Sequence, residues 1–123
     1  MVFNRLAMSS FLRSAEHAIF YAPALFAHWA GQGARVINGA DVLAVDANKA
    51  RQLALIAALG LAVPATRVVH RAEDIPGAAQ ELRFPIVVKA NIGGAGAGIM
   101  RYETAEELAL AVADKFLPTS IDG

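Results

Sequence analysis

The sequence has no cysteine, no excess of either charge and no apolar run long enough to cross a membrane. Without cysteine the chain can form no disulfide, thiolate metal site or thiol nucleophile, and a cytoplasmic location is expected. Eleven basic and eleven acidic residues cancel, which predicts no electrostatic attraction to nucleic acid or to an anionic membrane. The longest apolar stretches, 18–27 and 53–65, are both interrupted by proline and fall short of the roughly 18–20 residues that a membrane span needs.

The sequence also has little that would form a metal site or a catalytic constellation. His17 and His28 lack the spacing of metal ligands, which favours packing or surface roles for both. Several acidic residues are candidates for metal binding by type alone, and turn, cap or helix-start roles explain them better: Asp41, Asp46, Glu103, Glu106 and Glu107. The sequence therefore predicts no catalytic residue and no metal ligand.

What is present suits one ordinary domain or a piece of a larger one. The chain has 123 residues, of which 56% are hydrophobic, enough for a core although much of this is alanine. The most informative stretch runs from residue 84 to residue 102. Its β-branched run 86–88 predicts a buried strand that ends at Lys89, and 99–102 predicts a second strand. The loop between these strands would be the tip of a hairpin, and it contains four glycines: Gly93, Gly94, Gly96 and Gly98.

This glycine-rich loop has the composition of a phosphate clamp. Glycines let backbone N–H groups approach an anion without a Cβ in the way, and a lysine at the end of the preceding strand adds a positive charge. The alternative is a mobile hairpin loop beside a solvated lysine. Two better-known phosphate motifs are excluded. No lysine follows the glycines, as a P-loop requires, and their spacing fails G-x-G-x-x-G, with a strand rather than a helix following.

The rest of the chain predicts alternating short elements. Val2-Phe3 reads as the end of a strand, and 34–38 and 66–70 as further short strands. The helical pattern of 14–29 should break at Pro23, which suits the first turn of a second helix over 24–30.

A long helix is expected over 40–60, with Asp46 as N-cap and Gly60 as the C′ residue. A short helix should run from about Asp74 to Leu82. The last helix should open at a capping box formed by Thr104 and Glu107, and end at 116–118. The order from residue 46 onward therefore predicts an α+β unit, in which helices pack on one face of a short, mainly antiparallel sheet.

Five short segments follow one another in a fixed order: Asp46-Ala47-Asn48-Lys49, Leu59-Gly60-Leu61-Ala62-Val63-Pro64-Ala65-Thr66, Phe84-Pro85-Ile86-Val87-Val88-Lys89, the four glycines, and Glu103-Thr104-Ala105-Glu106-Glu107-Leu108. In this order they resemble the ATP-grasp superfamily, and the similarity covers roughly residues 35 to 115. Residues 33–38 are similar to the end of the Rossmann-like domain that precedes the grasp in the RimK-like branch.

The resemblance implies a division of the chain and a site. Residues 1–40 would be a remnant of the preceding domain, 41–117 the N-terminal subdomain of the grasp, and 118–123 a truncated tail. Lys49 and Lys89 would contact ATP phosphates from two elements, and Gly93, Gly94, Gly96 and Gly98 would form the lid. Two lysines brought together repel each other unless a polyanion lies between them, which agrees with this implication.

The family's reaction phosphorylates a carboxylate to an acylphosphate, which an amine then attacks. The resemblance implies that Mg²⁺ ligands, the adenine-binding hinge and an arginine belong to a second half that lies outside this sequence. The chain would therefore bind ATP weakly and catalyse nothing alone. Ala90 stands where the branch usually has proline, and Ala95 and Ala97 replace serine or glycine in the loop.

Two other functions stay open at this point. The chain could be a non-catalytic interaction module that self-associates or binds a partner carrying the missing half. It could instead be a phosphate-binding regulatory domain without specificity for ATP.

Overall fold

The first part of the fold is a pair of parallel strands joined through a helix. The computed structural model describes residues 1–6, Ser10, 18–94 and 96–120. Strand β1 (Val2–Phe3) lies parallel to β2 (Val36–Ile37), with Val2 opposite Val36 and Phe3 opposite Ile37. Between them runs helix α1 (Ala18–Gly31). Both predicted strands are confirmed, whereas the expectation for 14–17, including His17, falls outside the described residues.

The predicted break at Pro23 is wrong, because α1 is continuous through that residue. Proline deprives a helix interior of one hydrogen bond and crowds the preceding turn, at a cost of about 3 kcal/mol. Ile19 and Phe26, on either side of Pro23, are both buried in the same core cluster together with Leu43 and Ile92. Burial of these large side chains offsets the cost of the proline and keeps the helix intact.

The single helix expected over 40–60 is instead two helices. Helix α2 (Ala40–Asp46) ends at the residue that was expected to be an N-cap, and α3 (Lys49–Ala58) begins three residues later. The N-cap of α3 is Asn48, whose extended backbone breaks the helix and whose Oδ1 accepts the Arg51 N–H at 2.9 Å. The expectation of Asp46 as N-cap is therefore wrong, and asparagine, which is at least as good an N-cap as aspartate, takes that role at position 48. Gly60, with φ of +70°, follows the C-cap as predicted.

The second part is the predicted hairpin with helices packed on one face. Strands β3 (Ile86–Lys89) and β4 (Ile99–Tyr102) are antiparallel, with Ile86 opposite Tyr102 and Lys89 opposite Ile99. A 3₁₀ turn (Ala72–Asp74) leads into α4 (Ile75–Ala79), and α5 (Ala105–Ala113) follows β4. The inward side chains of the hairpin and of both helices form a second core cluster around Leu108, which is 1% exposed. The described chain is thus a mixed α+β fold with two small sheets.

Helix α5 begins at the predicted capping box. The Thr104 Oγ1 accepts the Glu107 N–H at 3.2 Å, and the Glu107 carboxylate accepts the Glu103 N–H at 2.7 Å, one residue earlier than the motif expects. Hydrogen bonds from its own backbone N–H and from the Thr104 hydroxyl hold the pKa of Glu106 below its ordinary value. The acidic residues of this first turn therefore have structural roles, which agrees with their expected helix-start character.

The strand predicted over 66–70 is wrong. The segment carries no strand, and Val68 is 56% exposed. Arg67 instead forms an ion pair with Glu81. A β-branched run becomes a strand only where another strand pairs with it, and among the described residues β3 has β4 as its one partner. None of the helices in the described part of the chain has the length and apolar character required to cross a membrane.

Candidate phosphate site

The glycine loop begins with one further bond of the β3–β4 ladder. Beyond the last paired residues, Lys89 and Ile99, the Ala90 N–H donates to the Gly98 carbonyl at 2.8 Å. Inside the loop the Ala97 N–H donates to the Gly94 carbonyl at 3.0 Å, and Gly96 between them has φ of +80°. This hydrogen bond and the positive φ are typical of a four-residue β-turn with glycine at its third position.

Gly98 is required by close approach as well as by conformation. Its φ is +68°, and a Cβ placed on it would lie 2.8 Å from the Cβ of Ala90. Ala90 is itself buried and donates its N–H to Gly98. A proline at position 90, which the resemblance leads one to expect, would have no N–H for that bond. The small alanine and the glycine opposite it are therefore a matched pair.

The first residues of the loop are attached to helix α3. The Asn91 carbonyl accepts the Lys49 N–H at 3.3 Å, and the Asn91 Oδ1 accepts the Ala50 N–H at 3.2 Å. The next residue, Ile92, is buried in the cluster formed by α1 and α2, and its N–H donates to the Ser120 Oγ at 2.9 Å. The base of the loop thus contacts three separate parts of the chain.

Lys49 lies beside the loop, as the resemblance implies. It is the first residue of α3, and its Nζ donates to the Asn91 carbonyl at 3.2 Å. A Cβ placed on Gly93 would lie 3.7 Å from the same Nζ. The fold therefore brings an ammonium group next to a loop glycine that is 44 positions away in the sequence.

Lys89 is the last residue of strand β3 and precedes the loop in the chain. It is exposed and shares the outer face of the hairpin with Val87, and across the strands the same face carries Ile99 and Arg101. Arg101 forms an ion pair with Glu103 at 2.9 Å. The outer face therefore combines two cations with two half-exposed apolar side chains.

The loop also contains backbone donors that have no acceptor within the described part of the chain. Among the described residues, no acceptor is found for the N–H groups of Gly93, Gly94, Gly96 and Gly98. By contrast, the first three N–H groups of α3 are all bonded, the first two to Asn91 and the third to Asn48. An anion at this site would therefore meet the loop and the lysine side chains rather than the end of a helix.

Sequence reasoning did not identify two residues that the geometry makes prominent. Arg101 could have been found from strand alternation, because it lies across from Val87 on the outer face. Asn91 carried a weaker signal, a polar side chain between a strand and a glycine loop. Its bonds to α3 depend on tertiary structure and could not be read from local pattern.

A second concave region, of about 450 Å³, lies at the carboxyl ends of β1 and β2. Its asparagines are already bonded, since Asn4 Nδ2 donates to the Asn38 carbonyl at 2.8 Å and Asn4 Oδ1 accepts the Leu6 N–H at 2.8 Å. The charged residues that line this region are Arg5 and Asp46. None of the residues expected to bind a ligand belongs to it.

The chain is similar to curated proteins that are named as ligases. It is 30% identical over 99 residues to a protein of Stutzerimonas stutzeri named "Probable alpha-L-glutamate ligase", an alignment that covers 80% of this chain and 33% of that protein. Proteins of the same name from Pseudomonas savastanoi and Pseudomonas syringae are 31% identical over 87 residues, covering 70% of this chain and 29% of theirs.

The chain thus spans about a third of the length of the curated relatives it matches. No family model matches the sequence, and no solved structure matches it. Most of the present chain is therefore similar to one part, about a third, of proteins that are named as ligases.

Proposed function

We propose that the chain is the phosphate-binding part of an ATP-grasp ligase of the RimK-like branch. One observation carries the proposal: the Lys49 ammonium lies beside Gly93 of a loop whose glycine N–H groups have no acceptor among the described residues. The similarity to proteins named as glutamate ligases supports the chemical class. The division into 1–40, 41–117 and 118–123 belongs to the same proposal.

The site suits a polyphosphate for electrostatic reasons. Lys49 supplies an ammonium with several donors at one side of the loop, and Lys89 supplies another at the end of β3. The N–H groups of Gly93, Gly94, Gly96 and Gly98 add partial positive charge without side chains that would hinder an anion. A neutral ligand would gain little from this arrangement, whereas successive phosphates can satisfy several of these donors at once.

In the proposed parent reaction, a carboxylate oxygen attacks the γ-phosphorus of ATP, ADP leaves, and an acylphosphate forms. An amine then attacks the acyl carbon and, with loss of a proton, releases phosphate. This chain's part would be to bind and orient the phosphates and to exclude water. The amino acid, which in the relatives' name is glutamate, would be selected by parts of a longer protein.

The described residues contain no group of three or more histidine, cysteine or acidic side chains that could hold a metal ion. The Mg²⁺ ligands of such a reaction are proposed to belong to the second half that lies outside this sequence. We therefore assign no step of the reaction to a metal held by this part of the chain. The proposed function of the chain alone is binding of nucleotide phosphates without turnover.

The test is calorimetric titration of Mg-ATP into the wild-type chain and three lysine variants. Lys49→Ala and Lys89→Ala should each weaken binding at least about tenfold, because each removes a charged donor worth about 1.5–3 kcal/mol. Lys115→Gly is the matched control, since it removes the same charge from an exposed residue after α5. Absence of binding at millimolar Mg-ATP by the folded wild type, or equal effects of all three variants, would contradict the proposal.

Pyrophosphate in the same titration distinguishes a regulatory phosphate-binding domain. Equal affinity for pyrophosphate and ATP would favour that function over a nucleotide site.

An interaction module is a second candidate, favoured by the apolar side chains that the surface exposes. They include Leu59, Leu61, Val87, Ile99, Leu110 and Phe116. Either a second copy or the proposed C-terminal half of the grasp would cover such surface. Analytical ultracentrifugation that finds a monomer at all concentrations would exclude self-association.

A further inference from the structure

We propose that Asn91 is a positioning residue, which fixes the glycine loop to the first turn of α3 and so sets where Lys49 lies relative to the loop. This inference rests on the proposed function, because it concerns the same site. Asn91 bonds that turn with both its backbone and its side chain. Its carbonyl accepts the Lys49 N–H at 3.3 Å and the Lys49 Nζ at 3.2 Å, and its Oδ1 accepts the Ala50 N–H at 3.2 Å.

A cap from this distance does more than satisfy the end of a helix. Helix N-termini are ordinarily capped by the residue that precedes them, and Asn48 does so here by accepting the Arg51 N–H. Asn91 lies 41 positions away from Ala50 in the sequence, and its Oδ1 accepts the Ala50 N–H, which precedes that of Arg51. Its bond therefore ties a second element, the glycine loop, to the same turn.

The attachment divides the loop into a held part and an open part. Asn91 is bonded to α3, and Ile92 is buried and bonded to Ser120. From Gly93 onward, the glycine N–H groups have no acceptor among the residues that the structure describes. Asn91 thus fixes the loop to α3 by hydrogen bonds and Ile92 fixes it to the core, immediately before the donors that would face a phosphate.

This geometry has a consequence for binding. A polyphosphate must contact Lys49 and the glycine N–H groups together, so affinity depends on their being held in register before the ligand arrives. Loss of the Asn91 Oδ1 leaves both sets of donors in the chain and loosens their relative position. The predicted defect is in preorganisation, and it should exceed the defect from losing an equivalent cap that does not touch the loop.

Asn48→Ala is that matched control, because it removes one cap from the same turn of α3 and leaves the loop bond intact. Amide hydrogen exchange, measured without ligand, should rise about fivefold at Ala50 and at Ile92 in Asn91→Ala, the effect expected from losing a typical cap. Asn48→Ala should raise exchange at Arg51 and leave Ile92 unchanged. Asn91→Asp keeps the acceptor and should restore protection at Ala50.

Titration of Mg-ATP supplies the second readout. Asn91→Ala should raise the Kd about fivefold, whereas Asn48→Ala should change it less than twofold. If Asn91→Ala does not fold, Asn91→Leu keeps the volume without the acceptor. Equal Kd values for the Asn91 and Asn48 variants, or unchanged exchange at Ile92 on loss of the Asn91 amide, would overturn the inference. A wild type that binds no Mg-ATP would overturn the proposed function, and the exchange comparison would still decide whether Asn91 holds the loop.

Discussion

At the scale of single residues, a comparison of two loop glycines distinguishes the cost of backbone strain from the cost of a steric clash. Gly96 and Gly98 both have positive φ, +80° and +68°. A Cβ on Gly96 would meet no atom of the described residues within 4 Å, whereas on Gly98 it would lie 2.8 Å from the Ala90 Cβ. A side chain would therefore strain the backbone at both positions, and at Gly98 it would also clash with Ala90.

Gly98→Ala should destabilise the chain more than Gly96→Ala. Each substitution forces a Cβ into the left-handed region, at a cost of about 1–2 kcal/mol. The unfolded-state gain from replacing glycine is the same in both and cancels in the comparison. We expect Gly98→Ala to lose at least about 1 kcal/mol more, because Ala90 is buried and cannot move freely. Urea unfolding of the two variants measures this, and equal free energies would show that the hairpin accommodates the clash.

At the scale of elements, helices α3 and α5 end with the same pair of hydrogen bonds but with different residue types. Helix α3 closes with the Gly60 N–H donating to Ala57 and the Leu61 N–H to Ile56. Helix α5 closes in the same way, with the Lys115 N–H donating to Val112 at 3.1 Å and the Phe116 N–H to Ala111 at 2.8 Å. Lys115 has φ of +55° in the position where Gly60 has +70°. A lysine thus occupies a position that favours glycine.

Lys115→Gly should therefore stabilise the chain by about 0.5–1 kcal/mol, because relief of the strained φ exceeds the extra entropy of glycine in the unfolded state. Gly60→Ala should lower the stability by a similar amount. Both are measured as shifts of the urea midpoint at unchanged slope. A Lys115→Gly variant less stable than wild type would mean that the lysine side chain contributes more than its backbone conformation costs.

Elements were predictable from sequence where local chemistry decides them. The hairpin 86–102, the Thr104 cap and Gly60 at the end of α3 each follow from side chains within a few positions, and the structure confirms them. The continuity of α1 through Pro23 was missed because it depends on core packing. The lack of a strand at 66–70 was missed because pairing depends on a neighbouring strand.

The candidate site likewise has residues that the sequence indicated and contacts that only the tertiary structure provides. Composition pointed to the glycine loop, and the resemblance pointed to Lys49. The structure places Lys49 beside Gly93, and binding by either residue stays a prediction. The Asn91 attachment joins positions 41 apart, so no local pattern could indicate it.

At the scale of the whole molecule, Ile92 places a side chain from next to the β3–β4 hairpin in the core cluster of the helices. The first cluster is formed by α1 and α2, and the second by the β3–β4 hairpin with α4 and α5. Ile92 follows β3 by three positions, yet it is buried in the first cluster and is 8% exposed. Within the described residues, the base of the glycine loop is therefore also a point where the hairpin half inserts into the helical half.

Ile92→Ala should uncouple the two clusters as well as destabilise them. Truncating a buried isoleucine costs about 2–5 kcal/mol, whereas Ile99→Ala, at a site 46% exposed, should cost about 1 kcal/mol and serves as the control. If Ile92 transmits cooperativity, wild type should unfold in urea with coincident transitions by circular dichroism and by Trp29 fluorescence. Since Trp29 packs against the first cluster, its transition in Ile92→Ala should separate from that of the helices as a whole. Coincident transitions in the variant, shifted together to lower urea, would show that other contacts couple the two clusters and that Ile92 contributes burial alone.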